Sequence, residues 1–168
     1  SEDLARWVKE GGGGLILVAG PINTFQLARV EEKSKLDPVL GILPVQPADS
    51  ITLRTRPTPR TPRRLYLNPK AIIGSDLLKL DDRVQDDPIA GWEKFFTDRD
   101  RYAADPDLKV ELYPQRGFFS SYPLKPDVGI KGVKAGSAVL AEFADVGDTG
   151  EPERLPYLVT NNPSAAWR

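Results

Sequence analysis

The chain contains no cysteine, no histidine and no methionine. Without cysteine it has no disulfide, no thiolate nucleophile and no zinc-thiolate site. Without histidine it lacks the usual general base near neutral pH and the commonest metal ligand. The sequence therefore excludes most familiar catalytic centres, and it predicts no catalytic residue, no metal site and no cofactor.

Long hydrophobic runs and an excess of one charge are also missing. The longest apolar run, Gly14–Gly20, is far shorter than the roughly 20 residues of a membrane-spanning helix. The 23 Lys and Arg residues against 24 Asp and Glu residues give a net charge of −1, which argues against a general polyanion binder. With 168 residues, 40% of them hydrophobic, we expect one soluble domain spanning residues 1–168.

Both ends of the sequence predict a piece of a longer protein. The first residue is Ser1 rather than methionine, and no closing secondary-structure element follows Asn161. We therefore expect the chain to be a fragment that belongs to a larger polypeptide.

The continuous apolar run Leu15–Ala19 is the most informative local signal. Apolar residues on both faces are typical of a central strand in a parallel sheet that helices cover on each side. Gly11–Gly14 precede this run and supply a turn after an amphipathic helix that begins at Ser1. We therefore predict an α/β fold in which Leu15–Ala19 is the buried central strand.

Periodicity and turn residues predict the remaining elements. Short helices are expected at Phe25–Val30 and from Pro88 onward, where Ile89, Trp92 and Phe96 form an apolar stripe. Strands are predicted at Ile51–Arg56, Lys109–Tyr113, Phe118–Leu124, Ser137–Phe143 and Leu155–Thr160.

The loop after the predicted central strand is a candidate ligand-binding site. Open α/β sheets bind ligands beyond the carboxyl ends of their strands, and Gly20, Asn23 and Thr24 lie at that point. The competing interpretation is that Asn23 or Thr24 only caps the helix that follows. The glycines at 11–14 do not predict a phosphate site, because phosphate loops lie between a strand and the helix after it.

Basic residues are concentrated between Ile51 and Lys70, where the sequence has no acid. Arginine forks match phosphate oxygens, so this segment is a candidate site for an anion or a nucleic acid. No aromatic platform or known binding module accompanies it. We therefore favour pairing with the downstream acids over nucleic-acid binding. The candidate residues are Arg54, Arg56, Arg60, Arg63 and Arg64.

Paired carboxylates occur at Asp81–Asp82 and Asp86–Asp87. Such pairs perform acid/base catalysis or bind Mg²⁺ and Ca²⁺ in other proteins. The spacing of a calcium-binding loop is missing, and adjacent acids in a polar segment usually form a solvated loop. A carboxylate-dependent hydrolase stays an alternative function.

The segment Leu4–Pro21, with Trp7, Val8, four glycines and the apolar run, resembles a segment of the class I glutamine amidotransferase-like domains. These domains occur in large, often membrane-anchored bacterial proteins of planctomycete type. Further short matches follow in the family's order at Leu43–Val45, Asp87–Ile89, Lys134–Ala141 and Pro156–Thr160.

This resemblance implies a flavodoxin-like three-layer sandwich, incomplete at both ends. Class I amidotransferases use a cysteine at a strand-turn-helix elbow with a downstream histidine and glutamate, and this chain has neither cysteine nor histidine. No catalytic residue therefore carries over. The resemblance implies a non-catalytic binding or scaffolding module, whose partners are other domains of the parent protein or separate proteins.

Overall fold

The computed structural model describes residues 2–20, 24–29, 34–48, 62–72, 76–80, 87–97, 117–118, 121–146 and 152–162. The elements in chain order are α1 (Glu2–Glu10), α2 (Thr24–Ala28), α3 (Asp37–Ile42), β1 (Arg64–Leu67), α4 (Pro69–Ile72), a 3₁₀ turn (Asp76–Leu78), α5 (Pro88–Thr97), β2 (Ala138–Val146) and β3 (Pro152–Thr160). Helices and strands are thus mixed, as an α/β fold requires. None of the helices in these ranges is long and apolar enough to cross a membrane.

The chain forms two compact units. Unit 1 draws on residues 1–57, 121–138 and 159–168, and unit 2 draws on residues 58–120 and 139–158. The prediction of one domain over residues 1–168 stays a prediction.

Unit 2 is built on a three-stranded antiparallel sheet in the order β1-β2-β3. In the register between β1 and β2, Leu67 lies opposite Ala141. A buried cluster in the core of this unit contains Leu67, Ile72, Leu78, Leu140 and Ala141. The strands predicted at Ser137–Phe143 and Leu155–Thr160 are confirmed as β2 and β3.

Helix α5 packs against this core, and its first turn is set by Asp87 and Pro88. The Asp87 carboxylate accepts a hydrogen bond from the Ile89 N–H at 2.9 Å, while Pro88 takes a position where a missing N–H costs nothing. Ile89 and Trp92 pack against the core, and the Trp92 indole donates to the Leu78 carbonyl at 2.9 Å. The helix predicted from Pro88 is confirmed.

Unit 1 packs α1 against α3 through a small buried cluster of Ala5, Val8 and Ile42. The helix predicted at the start of the chain is confirmed, and Ala5 and Val8 are its buried residues. Leu4 and Trp7 stay 38% and 52% exposed. The Trp7 ring turns instead onto the backbone that follows α1.

Side chains from distant parts of the sequence cap the carboxyl end of α3. The Lys134 ammonium donates to the Leu40 carbonyl, and the Asn161 amide donates to the Ile42 carbonyl at 3.1 Å. Helix ends leave their last carbonyls unpaired, so these contacts satisfy groups that α3 cannot satisfy itself.

The prediction that Leu15–Ala19 is a buried central strand is wrong. This stretch belongs to no strand, and all five residues are exposed. Apolarity alone does not bury a strand, because a strand also needs a neighbour that accepts its backbone hydrogen bonds. The sheet that does form in the described residues is antiparallel and lies elsewhere in the chain.

Three other strand predictions have different outcomes. Ile51–Arg56 and Lys109–Tyr113 lie outside the described residues. In the described part of the strand predicted at Phe118–Leu124, isolated bridges join Phe118 to Arg63 and Leu124 to Pro47.

The neighbouring residues Leu77 and Leu78 provide a matched test of the unit 2 core. Leu78 is 7% exposed and Leu77 is 66% exposed. We expect Leu78→Ala to lower the free energy of unfolding by about 2–5 kcal/mol, since it leaves a cavity. Leu77→Ala should change it by less than about 0.5 kcal/mol. Urea unfolding followed by Trp fluorescence measures both, and equal effects would contradict this core.

Lys134 makes the stability of unit 1 depend on pH in the alkaline range. Burial lowers the pKa of Lys134 below its ordinary value of 10.5, so just below pH 10.5 the unfolded chain binds more protons than the folded chain. Stability from this group therefore rises with pH through that window. We expect the free energy of unfolding, relative to Lys134→Met, to increase as the pH rises towards 10.5. A difference that falls over this range would contradict the assignment.

Candidate interaction surface

The turn after α1 is fixed by the Trp7 carbonyl and by glycine. Gly11 and Gly13 both donate backbone hydrogen bonds to the Trp7 carbonyl oxygen, at 3.0 and 3.2 Å. Between them Gly12 has a φ of 69°, in the left-handed region that favours glycine. A side chain at Gly13 would meet the Trp7 ring, because a Cβ there would lie 2.4 Å from ring carbons. The sequence therefore ends α1 in a rigid, glycine-dependent cap.

A second anchor lies at Gly20, nine residues after Gly11. The Gly20 N–H donates to the Thr24 hydroxyl oxygen at 2.8 Å. Thr24 is only 6% exposed and begins α2. This contact fixes the point where the chain turns into the second helix.

Between these two anchors lies the apolar segment, which we define as Leu15–Ala19. Ile16 and Val18 are 83% and 84% exposed, whereas Leu15 and Leu17 are 40% and 44% exposed. Every second one of these four side chains is therefore almost fully open to solvent, and the other two are partly covered.

The apolar segment offers a surface but no reactive chemistry. Residues 11–20 contain no charged side chain and no hydroxyl group. No hydrogen bond joins the backbone of the segment to another residue in the described ranges. Its N–H and C=O groups and its apolar side chains are thus what this surface presents to a partner.

Of the predicted ligand-binding residues, Gly20 and Thr24 come together and Asn23 lies outside the described residues. The hydroxyl of Thr24 already accepts the Gly20 N–H, which gives it a structural role in the loop. Ligand binding by these three residues stays a prediction.

The basic segment is not brought together at one point in the described chain. Arg54, Arg56 and Arg60 lie outside the described residues. Arg63 exchanges two backbone hydrogen bonds of 2.9 Å with Phe118, and Arg64 lies opposite Ala144 in the sheet. Because adjacent residues of an extended chain point to opposite faces, the side chains of Arg63 and Arg64 do not converge on one anion.

The acidic candidates also do not form a centre among the described residues. Asp81, Asp82 and Asp86 lie outside the described ranges, and Asp87 caps α5. The described part of the chain contains no group of three or more acidic side chains placed to hold a metal ion. The carboxylate hydrolase stays a prediction that rests on residues beyond these ranges.

Sequence reasoning missed the exposure of the apolar segment and the two contacts that anchor it. A signal for the first anchor was present in the four consecutive glycines, which are more than a simple turn requires. The close approach of Trp7 to Gly13 explains why glycine continues beyond the cap.

Comparison of the chain with protein-family models, with curated proteins and with solved structures finds no match. The family resemblance of the segment Leu4–Pro21 and of the later motifs therefore rests on the sequence alone.

The anchor at Thr24 has a direct test. Thr24→Val keeps the shape of the side chain but removes the acceptor of the Gly20 N–H, so we expect a loss of about 1–3 kcal/mol in the free energy of unfolding. Thr24→Ser keeps the hydroxyl and is the matched control, with a smaller loss expected. Equal losses in urea unfolding would show that the hydrogen bond does not hold the loop.

Proposed function

We propose that this chain is a non-catalytic, amidotransferase-like module that binds or scaffolds partners within a larger bacterial protein. The observation that carries the proposal is the exposure of four consecutive large apolar side chains, Leu15–Val18. Single exposed apolar residues are common on protein surfaces, but a continuous exposed run is typical of an interaction site.

The side-chain chemistry of the chain supports a non-catalytic role. The whole sequence lacks cysteine and histidine, which amidotransferase chemistry uses. Two charged groups among the described residues have structural roles: Asp87 caps α5, and Lys134 caps α3. The Glu142 carboxylate lies 3.8 Å from the Arg154 guanidinium. None of these three groups is left poised for proton transfer to a substrate.

A flavodoxin-like three-layer sandwich is the finer part of this proposal. It is supported by the order of the family motifs along the sequence, from Leu4–Pro21 to Pro156–Thr160. The apolar segment, which is exposed and belongs to no strand of this chain, is the surface that a partner would cover. The partners we propose are accordingly other domains of the parent protein or separate proteins.

The proposal predicts that the folded chain releases no ammonia from glutamine. The measurement is a coupled ammonia assay on the full 168-residue chain, beside a buffer blank and heat-unfolded chain. The physical reason is the absence of any thiolate or imidazole that could form and resolve an acyl intermediate.

Asp87→Asn is the control variant for hidden carboxylate chemistry. Ammonia release above the blank would overturn the non-catalytic proposal. Release that Asp87→Asn abolishes would assign the activity to the carboxylate region.

A further inference from the structure

The carboxyl end of α3 is not closed by a glycine. Helices commonly end on a glycine in the left-handed conformation, which satisfies their last carbonyl groups. Leu43 follows α3 instead, and its backbone is extended, with a φ of −69° and a ψ of 139°. The last carbonyl groups of α3 therefore depend on donors that come from elsewhere in the sequence.

Lys134 supplies the charged part of this distant cap. Its ammonium donates to the Leu40 carbonyl, and its backbone N–H donates to the Pro44 carbonyl at 2.9 Å. The Ser137 hydroxyl donates to the same Pro44 carbonyl at 3.3 Å. One lysine thus contacts the chain on both sides of the point where α3 ends.

The packing of α1 on α3 lies next to this cap. Ile42, the last residue of α3, is 4% exposed and packs with Ala5 and Val8 of α1. The Asn161 amide, a neutral group, donates to the Ile42 carbonyl. A chemical change to the Lys134 amine therefore acts on the end of the helix that carries Ile42, and it leaves the neutral contact in place.

The environment of the Lys134 amine favours its reaction as a nucleophile. The side chain is partly buried, and burial lowers the pKa of Lys134 below its ordinary value of 10.5. A lowered pKa raises the fraction of neutral amine near neutral pH. A neutral amine that donates one N–H to a carbonyl keeps its lone pair for an electrophile. Because the side chain is only partly covered, a small reagent can reach it.

We propose that the Lys134 amine is a modification site for acyl phosphates, and that its acylation releases the carboxyl end of α3. The amine nitrogen attacks the acyl carbon, so that a C–N bond forms and the C–O bond to phosphate breaks. Phosphate leaves with the bonding electron pair, and the amine gives up one proton to solvent. The reaction consumes the side chain once and is not catalysis. The site goes beyond the binding function proposed above and needs no partner protein.

Acylation changes the cap in two ways. It removes the positive charge, which the carboxyl end of a helix favours. It also replaces the three N–H donors of the ammonium with one and adds an acyl group at a partly buried position. Both changes weaken the contact with the Leu40 carbonyl, so we expect α3 to fray from its last turn.

Lys131 is the internal control for reactivity, because it lies three residues from Lys134 and is exposed. The full chain is incubated with acetyl phosphate, and mass spectrometry of its digest follows the acetylated fraction of each lysine with time. We expect Lys134 to be acetylated at least about threefold faster than Lys131. Exposure alone predicts the opposite order.

Hydrogen exchange measures the release of α3. The Leu40 N–H donates to the Leu36 carbonyl at 2.9 Å, and the Gln46 N–H donates to the Gly132 carbonyl at 3.0 Å. We expect Lys134→Gln, which removes the charge as acylation does, to speed exchange of both amides at least about tenfold. Lys134→Arg keeps a positive charge and several donors, so both rates should stay within about threefold of those of the unsubstituted chain.

Two results would overturn the modification site. One is acetylation of Lys134 at a rate equal to or below that of Lys131. The other is unchanged exchange of the Leu40 and Gln46 amides in Lys134→Gln. If Lys134→Gln does not fold, exchange is measured on the acetylated unsubstituted chain, beside Lys134→Arg treated in the same way. Equal exchange in these two samples would then overturn the proposal.

Discussion

The hydrogen bonds to the Trp7 carbonyl set the direction of the backbone that leads into the most apolar part of this chain. By accepting hydrogen bonds from Gly11 and Gly13, the carbonyl ends α1 and turns the backbone away from the buried cluster of Ala5, Val8 and Ile42. The core of unit 1 is small because the chain's largest apolar run does not enter it. The proposed function depends on this one turn, because the turn leaves the apolar segment exposed.

The elements that sequence reasoning predicted correctly are those whose signals are local. Pro88 and the acid before it set the start of α5, and alternating or continuous apolar residues between turn residues mark β2 and β3. These signals act over a few residues, so they do not depend on the tertiary contacts made by the rest of the chain.

The location of the apolar segment was not predictable in the same way. Continuous apolarity indicates a strand buried on both faces, but burial requires two neighbouring strands and two covering layers that the segment itself does not encode. The candidate site was predictable only at its edge, where Gly20 and Thr24 meet. The Trp7 ring lies where a side chain at Gly13 would otherwise be. Hydrophobic periodicity cannot predict a contact of this kind.

The division of the chain into units has a consequence for its folding and for its use in the laboratory. Unit 1 is assembled from three separate stretches and unit 2 from two, and two of the four boundaries between these stretches fall inside β2 and β3. Neither unit can therefore be excised by a single cut. A protease that cleaves within β2 divides the polypeptide of both units. Bringing together stretches that are distant in sequence costs chain entropy before the contacts between them form. This cost slows folding relative to a chain of contiguous modules.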